Sequence, residues 1–219
     1  MRNFMSFFLM RTALFCFATA MMIFNAHAQS QAIFSHEDQR HLSRVNVFFN
    51  TLKTLEGEFI QIDPRGREAS GRFYIARPGS MRFQYEIPQS SAVVADGNWV
   101  AVQDSNGKFI DRYPLISTPL RFLLQDKVSL DKDARIEAIL SSEHTLSITL
   151  SSQNVATLGK LTLNFALPHY ELASWDVVDT QGNITRVAVG GLIYGNEYDE
   201  AFFRIVENRV FDINKGDFE

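Results

Sequence analysis

Residues 71–88 constrain the fold of this chain more than any other stretch, because they read as two strands joined by a tight turn. Pro78 has a fixed φ and Gly79 accepts a positive φ, so the pair can reverse the chain. Side chains alternate between the two faces of a strand. One face of the predicted hairpin is therefore apolar, with Gly71, Phe73, Ile75, Met81, Phe83, Tyr85 and Ile87. The other face is polar, and another part of the chain must cover the apolar one.

The first 28 residues have the organisation of an export signal. Arg2 and Arg11 precede an almost wholly apolar run at 13–24, and Ala26-His27-Ala28 follows as a small-x-small cleavage site. The apolar run is shorter than the roughly 20 residues that a membrane-spanning helix needs. We therefore expect residues 1–28 to be removed on export to the periplasm, and residues 29–219 to form a single domain.

Charge and cysteine content exclude several classes of function. Removal of residues 1–28 changes the formal net charge from −4 to −6, since that segment holds two of the 21 basic residues and no acidic residue. A net acidic chain without a basic run is a poor candidate for nucleic-acid binding. The one cysteine, Cys16, lies in the same segment, so the remainder has no thiol for a disulfide, a metal or catalysis.

Most of the chain between Leu55 and Val189 reads as strand. Asp96-Gly97 and Asn106-Gly107 each lie between apolar runs, which is typical of a β-hairpin turn. The predicted strands outside the first hairpin are 55–63, 93–95, 98–102, 108–113, 134–140, 146–150, 160–165, 174–179 and 184–189. Consecutive strands on short turns favour an antiparallel meander, so we expect a single curved sheet.

Three helical pieces accompany the predicted strands. Residues 37–54 carry apolar side chains at helical spacing, including Phe49, and Ser35 is the predicted N-cap. Residues 118–125 begin with Thr118 as the predicted N-cap and Pro119 at the first helical position. Residues 199–203 are expected to form a shorter helical turn.

These helices are few for the apolar face that they must cover. Two arrangements fit the pattern: either the helices plug a solid core, or they form a lid over an incompletely filled concavity that holds a hydrophobic ligand. The candidate inner face consists of Phe59, Phe73, Ile75, Met81, Phe83 and Tyr85. Periodicity alone does not separate the two arrangements.

Patterns that would indicate catalysis or a metal site are weak. The histidines His36, His41, His144 and His169 lack metal-ligand spacing, and no phosphate-binding loop or G-x-S-x-G motif occurs. The carboxylates Glu56, Glu58, Asp176 and Asp179 lie at positions where solvated charges are expected. We therefore expect a protein that is not an enzyme, with no cofactor and no metal.

Several motifs, taken in order, resemble one known family. They are Phe59-x-Gln61, Gly71-x-Phe73-x-x-x-Arg77-Pro78, Arg82-x-x-Tyr85-x-x-Pro88, Asp96-Gly97, Thr118-Pro119-x-x-x-Leu123-Leu124 and Trp175-x-x-x-Asp179-x-x-Gly182-x-x-Thr185. Together they resemble the periplasmic outer-membrane lipoprotein carrier family, LolA. The similarity covers nearly all of residues 29–219.

The resemblance implies a fold that is mainly β with some α, namely an unclosed antiparallel β-barrel covered by a lid of short helices. The cavity of this curved half-barrel sheet would accept the acyl chains of lipoproteins, with Leu123 joining the inner-face residues as its lining. Phe49, Pro119 and Phe122 would belong to the lid. The family's switch arginine falls on Arg77, which would hydrogen-bond backbone groups of the lid and hold the cavity closed.

The implied partners are acylated lipoproteins, an inner-membrane lipoprotein-releasing ABC transporter and an outer-membrane lipoprotein receptor, with the carrier itself a monomer. A second hypothesis comes from periplasmic regulators with a similar half-barrel, which sense lipid and control an anti-sigma factor. Such regulators usually carry a further C-terminal domain, for which residues 29–219 leave little room.

Overall fold

Eleven antiparallel strands form one sheet in the part of the chain that the computed structural model describes, which is residues 34–87, 91–104, 106, 108–152 and 159–205. The expected export signal and the tail after Phe211 lie outside these residues. The strands are β1 (Thr54–Ile62), β2 (Glu68–Ala76), β3 (Ser80–Tyr85), β4 (Ala92–Asp96), β5 (Trp99–Gln103), β6 (Phe109–Pro114), β7 (Arg135–Ser141), β8 (Thr145–Ser151), β9 (Lys160–Ala166), β10 (Glu171–Val178) and β11 (Ile184–Tyr194).

The sheet is an unclosed half-barrel, as predicted. Its strand order is β6-β5-β4-β3-β2-β1-β11-β10-β9-β8-β7, so β1 pairs with β11 and joins two meanders. Strands β6 and β7 are the two edges and do not pair with each other. Residues 115–134 connect these edges, and they carry the helices that face the open side.

The first helix, α1 (His36–Thr51), begins as the sequence predicts. The Ser35 side chain accepts a hydrogen bond from the Asp38 amide, and the Asp38 carboxylate accepts one from the Ser35 amide, which makes a capping box. The helix ends three residues earlier than expected, because Leu52 is extended and β1 begins at Thr54. Leu42, Val45 and Phe49 form its buried stripe.

The predicted helix at 118–125 is shorter in the structure. A 3₁₀ turn (Leu115–Ser117) comes first, and α2 covers only Arg121–Leu124. Thr118 is not an N-cap, since its hydroxyl donates to the carbonyl of Leu115, and Pro119 precedes the helix. A third short helix, α3 (Leu130–Asp133), was not predicted. No helix in the described ranges is long and apolar enough to cross a membrane.

The hairpin of β2 and β3 has the predicted turn. Phe73 pairs with Phe83 and Ile75 with Met81, and Gly79 adopts a φ of 82°. A Cβ at Gly79 would lie 2.6 Å from the Cα of Gly97, so this turn requires glycine. Ile87 was expected to continue the apolar face, but it lies beyond the end of β3 and is 89% exposed.

The convex side of the sheet is partly covered by the chain after β11. The predicted helical turn is a 3₁₀ helix (Glu200–Phe203), and Phe203 is buried. Phe202 packs edge-on against Tyr74, with ring centroids 5.0 Å apart, and the Arg82 guanidinium lies 5.3 Å from the Phe202 ring. Because β3 pairs with β4, Arg82 shares this face with Val94, which is completely buried.

The same segment corrects the expectation for one carboxylate. Glu56 was expected to be solvated, but it is only 9% exposed. The Tyr198 hydroxyl donates to its Oε2, and the Arg72 guanidinium lies 3.5 Å from its Oε1. The C-terminal segment therefore converts a predicted surface carboxylate into a hydrogen-bonded, buried one.

Close packing inside the sheet makes one glycine testable. A Cβ at Gly71 would lie 2.0 Å from the carbonyl oxygen of Gln84 and 2.9 Å from the Phe59 ring. We expect Gly71→Ala to lower the free energy of unfolding by about 2 kcal/mol or more, because overpacking forces the backbone to move. Gly190→Ala is the matched control, since a Cβ there meets nothing within 4 Å. Urea unfolding measures both, and equal stability of the two variants would contradict the register of β2 and β3.

Candidate functional site: the half-barrel interior and its lid

The concave face of the sheet carries the predicted aromatic lining. Phe59, Phe73 and Phe83 are each at most 5% exposed, and the rings of Phe73 and Phe83 stack with centroids 5.7 Å apart. Phe59 meets Phe83 edge-on at 4.7 Å. Ile75 and Met81 are also buried there. Sequence reasoning did not assign Trp175 to this lining, although it is 1% exposed and contacts both Phe73 and Phe83.

The predicted lid residues pack against this lining from the open side. Phe49 of α1 and Phe122 of α2 are 1% and 2% exposed, and Leu123 is 1% exposed. Pro119 is half-buried ahead of α2. Under the helices the interior is therefore filled by the protein's own side chains, which is the solid-core arrangement.

Beyond the helices, the residues that the structure describes leave part of the concave face unfilled. A pocket of about 320 Å³ lies at the end of the sheet where the β1–β2 turn is found, opposite to the Arg77 turn. Its lining includes the inward-facing side chains Gln61, Tyr85, Val93 and Val102. Tyr85 is thus the one predicted lining residue that borders this pocket, and the apolar surface behind it continues into the buried aromatic cluster through Phe59, whose ring centroid is 5.1 Å from that of Tyr85.

Polar groups set the chemistry of the pocket. The Tyr85 hydroxyl donates to Oε1 of Gln61 at 2.7 Å, and burial raises the pKa of Tyr85 to about 12. At the rim, the Arg67 guanidinium lies 2.6 Å from Oδ2 of Asp63. The hydrogen bond from the Arg67 amide is the main cause that lowers the pKa of the Asp63 carboxyl. The pocket therefore has apolar walls behind a neutral phenol and a charged rim.

Arg77 extends from the turn after β2 to the lid. Its guanidinium donates to the carbonyl of Gln125, and it lies 3.4 Å from the carbonyls of Leu52 and Asp126. It also lies 5.7 Å from the Phe49 ring. Desolvation by burial lowers the pKa of Arg77, although the Asp126 charge opposes this change. One side chain thus connects the end of α1, the segment after α2 and the first hairpin.

Further hydrogen bonds hold the same segment, and sequence reasoning missed them. The Asn50 side chain donates to the Val128 carbonyl at 2.8 Å and accepts from the Val128 amide at 2.9 Å. Asn46, one helical turn earlier, accepts from the Leu130 amide at 3.0 Å. The Gly79 amide donates to the Leu124 carbonyl. The sequence signal that could have indicated these bonds is the pair of asparagines, four residues apart, beside the apolar stripe of α1.

Groups that could bind a metal or perform catalysis were also sought. In the described ranges, no three histidine, cysteine, aspartate or glutamate residues form a group that could hold a metal ion. The geometry described above offers instead an apolar interior, a pocket that opens from it, and a short-helix cover fixed by a few polar contacts to main-chain atoms.

Comparison with known families agrees with this geometry. The family profile described as "Outer membrane lipoprotein carrier protein LolA" matches residues 50–206, which is more than half of the chain. The chain belongs to the LolA family.

The LolA relatives are distant in sequence. An uncharacterized protein of Rickettsia prowazekii is 22% identical, over 78% of this chain and 79% of that protein. An outer-membrane lipoprotein carrier protein of Methylococcus capsulatus is 26% identical, over 74% of this chain and 81% of that protein. The crystal structure of a LolA superfamily protein from Nitrosomonas europaea has 7% identity and a TM-score of 0.42, over 76% of this chain and 97% of that one.

The raised pKa of Tyr85 predicts a pH dependence of stability. The phenol ionises near pH 10 in an unfolded chain and near pH 12 in the folded protein. The contribution of the neutral phenol to the free energy of unfolding is therefore complete below about pH 10, and it is lost as the pH rises through 12. Between about pH 9.5 and 11.5, Tyr85→Phe should therefore lose about 2 kcal/mol less stability than the wild type in urea unfolding.

Tyr113→Phe is the control for this measurement, because Tyr113 is 53% exposed. It should lose as much stability as the wild type over the same pH range. If Tyr85→Phe and the wild type lost equal amounts, the buried position of Tyr85 at the pocket would be wrong.

Proposed function

We propose that this protein is a periplasmic carrier that binds the acyl chains of lipoproteins in the half-barrel interior. It takes them from an inner-membrane ABC transporter and delivers them to an outer-membrane receptor. Residues 1–28 direct its export, and it acts as a monomer. The name of the Methylococcus relative, outer-membrane lipoprotein carrier protein, supports this assignment.

The observation that carries the proposal is the combination of a continuous aromatic interior with a cover that polar contacts hold in place. The pocket borders Tyr85, whose ring contacts Phe59, and Phe59 in turn contacts Phe83 in the aromatic interior. The cover contributes Phe122 and Leu123 to the same interior. When the cover moves away, the surface that it leaves is apolar and suits an acyl chain.

Magnitudes show how binding and release are balanced. Burial of a sixteen-carbon chain is worth roughly 12 kcal/mol, at about 0.8 kcal/mol per CH₂ group. Opening the cover exposes several large apolar side chains, each worth about 1.5–3 kcal/mol, and breaks the hydrogen bonds of Arg77. These costs are subtracted from the affinity for the cargo, since binding must first open the closed state. Closure of the empty protein then assists unloading.

Copurification tests the function directly. The protein isolated from the periplasm of cells that overproduce it should carry acylated lipoproteins, identified by mass spectrometry of the acylated N-terminal peptides. A variant that fills the interior with charge, Phe83→Glu, should lose them. If the wild type carried an anti-sigma factor and no lipoprotein, the regulatory hypothesis would replace this one.

The role of Arg77 as a latch predicts a separation of loading from delivery. Arg77→Leu should still bind lipoproteins, because the apolar interior is unchanged, but it should deliver them to the receptor about tenfold or more slowly. The reason is that hydrogen bonds from a charged group contribute about 1.5–3 kcal/mol net to closure. A transfer assay with purified receptor measures the rate.

Arg65→Leu is the matched control for that assay, since Arg65 is an exposed arginine in the β1–β2 turn. It should deliver cargo at the wild-type rate. Delivery by Arg77→Leu at the same rate as by Arg65→Leu would refute the latch.

A further inference from the structure

A second pocket, of about 690 Å³, lies outside the half-barrel interior. It is bordered by the N-terminal half of α1 and by the turn that joins β9 to β10. The helix lines it with Glu37, Arg40, Ser43 and Arg44, and the turn lines it with His169 and Tyr170. Its walls are mainly polar, in contrast to the pocket at Tyr85, and the carrier function described above makes no use of it.

Two guanidinium groups face this pocket without a partner among the described residues. They belong to Arg40 and Arg44, which are exposed and one helical turn apart, and neither guanidinium has a hydrogen bond or an ion pair there. Some exposed arginines elsewhere do pair: Arg67 contacts Asp63, and Arg186 contacts Asp176. The two arginines and Glu37 together give the lining a formal charge of +1, on a chain with a net charge of −4.

A buried histidine joins the two sides of this pocket. His41 lines the pocket and is only 7% exposed. Its Nδ1 lies 2.9 Å from the hydroxyl of Tyr170, a non-glycine residue held at a φ of 58°. Its Nε2 is buried and has no hydrogen-bond partner among the described residues, while the Glu37 carboxylate lies 3.8 Å away, beyond hydrogen-bond distance. Because this nitrogen is enclosed by the protein, His41 acts on the pocket through its contact with Tyr170, which holds the turn that carries His169 against α1.

We propose that this pocket binds the phosphate group of an anionic phospholipid at a membrane surface. The planar fork of arginine matches the oxygens of a phosphate group, and two forks four residues apart on one helix can hold the same group. His169 and the hydroxyls of Ser43 and Tyr170 can supply further hydrogen bonds.

The helix surface favours a lipid over a free phosphate as the source. Arg40, Ser43, Arg44 and Val47 follow the spacing of one helix face, and Val47 is 56% exposed. Basic residues beside an exposed apolar residue are suited to the boundary between headgroups and acyl chains. The inference of an anion site depends only on the residues that line the pocket. The choice of a lipid as its ligand also rests on the proposed function, because a carrier that loads at a membrane must approach one.

Vesicle flotation tests the proposal. The purified protein should float with vesicles of equal parts phosphatidylcholine and phosphatidylglycerol, and not with phosphatidylcholine alone. The double variant Arg40→Gln/Arg44→Gln should bind the anionic vesicles about tenfold or more weakly, given the contribution of each basic residue near such a surface. Arg65→Gln/Arg135→Gln is the control, because it removes the same charge from exposed arginines elsewhere and should bind like the wild type.

A soluble lipid locates the binding site. Short-chain phosphatidylglycerol, below the concentration at which it forms micelles, should shift the ring NMR signals of His41 and His169 in the wild type and in the control, but not in Arg40→Gln/Arg44→Gln. Equal vesicle binding by the two double variants would overturn the proposal. It would also be overturned if inorganic phosphate shifted these signals while neither form of phosphatidylglycerol did.

The two proposals fail separately. A protein that binds anionic vesicles through Arg40 and Arg44, but never copurifies with acylated lipoproteins, would refute the carrier function and leave this site intact. A protein that carries lipoproteins, but whose vesicle binding does not depend on these arginines, would refute this site and leave the carrier function intact.

Discussion

The open side of the sheet is the constraint on which the rest of the structure depends. Because β6 and β7 do not pair, no second sheet among the described residues covers the concave face, and its aromatic residues would face water. Helix α1 and residues 115–134 cover it instead. Residues 115–134 form only short helices with little secondary structure of their own, so their position depends on contacts with α1 and with the first hairpin. Arg77, Asn46 and Asn50 provide those contacts.

Different residues supply the apolar packing of the cover and the hydrogen bonds that hold it in place. Phe122, Leu123 and Leu124 supply the packing, and each would lose its contacts gradually as the cover moves. The hydrogen bonds of Arg77 and Asn50 have strict geometry, and they break over a short displacement. Under the proposed carrier function, such a combination favours two distinct states, open and closed, over a continuous range. A carrier requires this property, because partly open states would expose both the lining and the cargo.

The sequence predicted the local features well because their causes are local. The Pro78-Gly79 turn and the Ser35 N-cap depend on residues that are neighbours in the chain, and both occur where expected. Long-range contacts explain the failures. Thr118 serves the preceding 3₁₀ turn in place of α2, and Glu56 is buried only because Tyr198, far along the chain, packs above it. The pairing of Asn46 and Asn50 with residues 128–130 likewise could not be deduced without the position of the cover.

The fastening of the cover has a consequence for how the protein can evolve. Arg77 and Asn50 contact main-chain atoms of residues 125, 126 and 128, and every amino acid offers a carbonyl oxygen. The residues on the receiving side can therefore be substituted without loss of these bonds, whereas the donor side chains cannot. Selection for closure of the cover would therefore conserve only the side-chain partner of each contact. An analysis of co-varying pairs of positions would not detect these contacts.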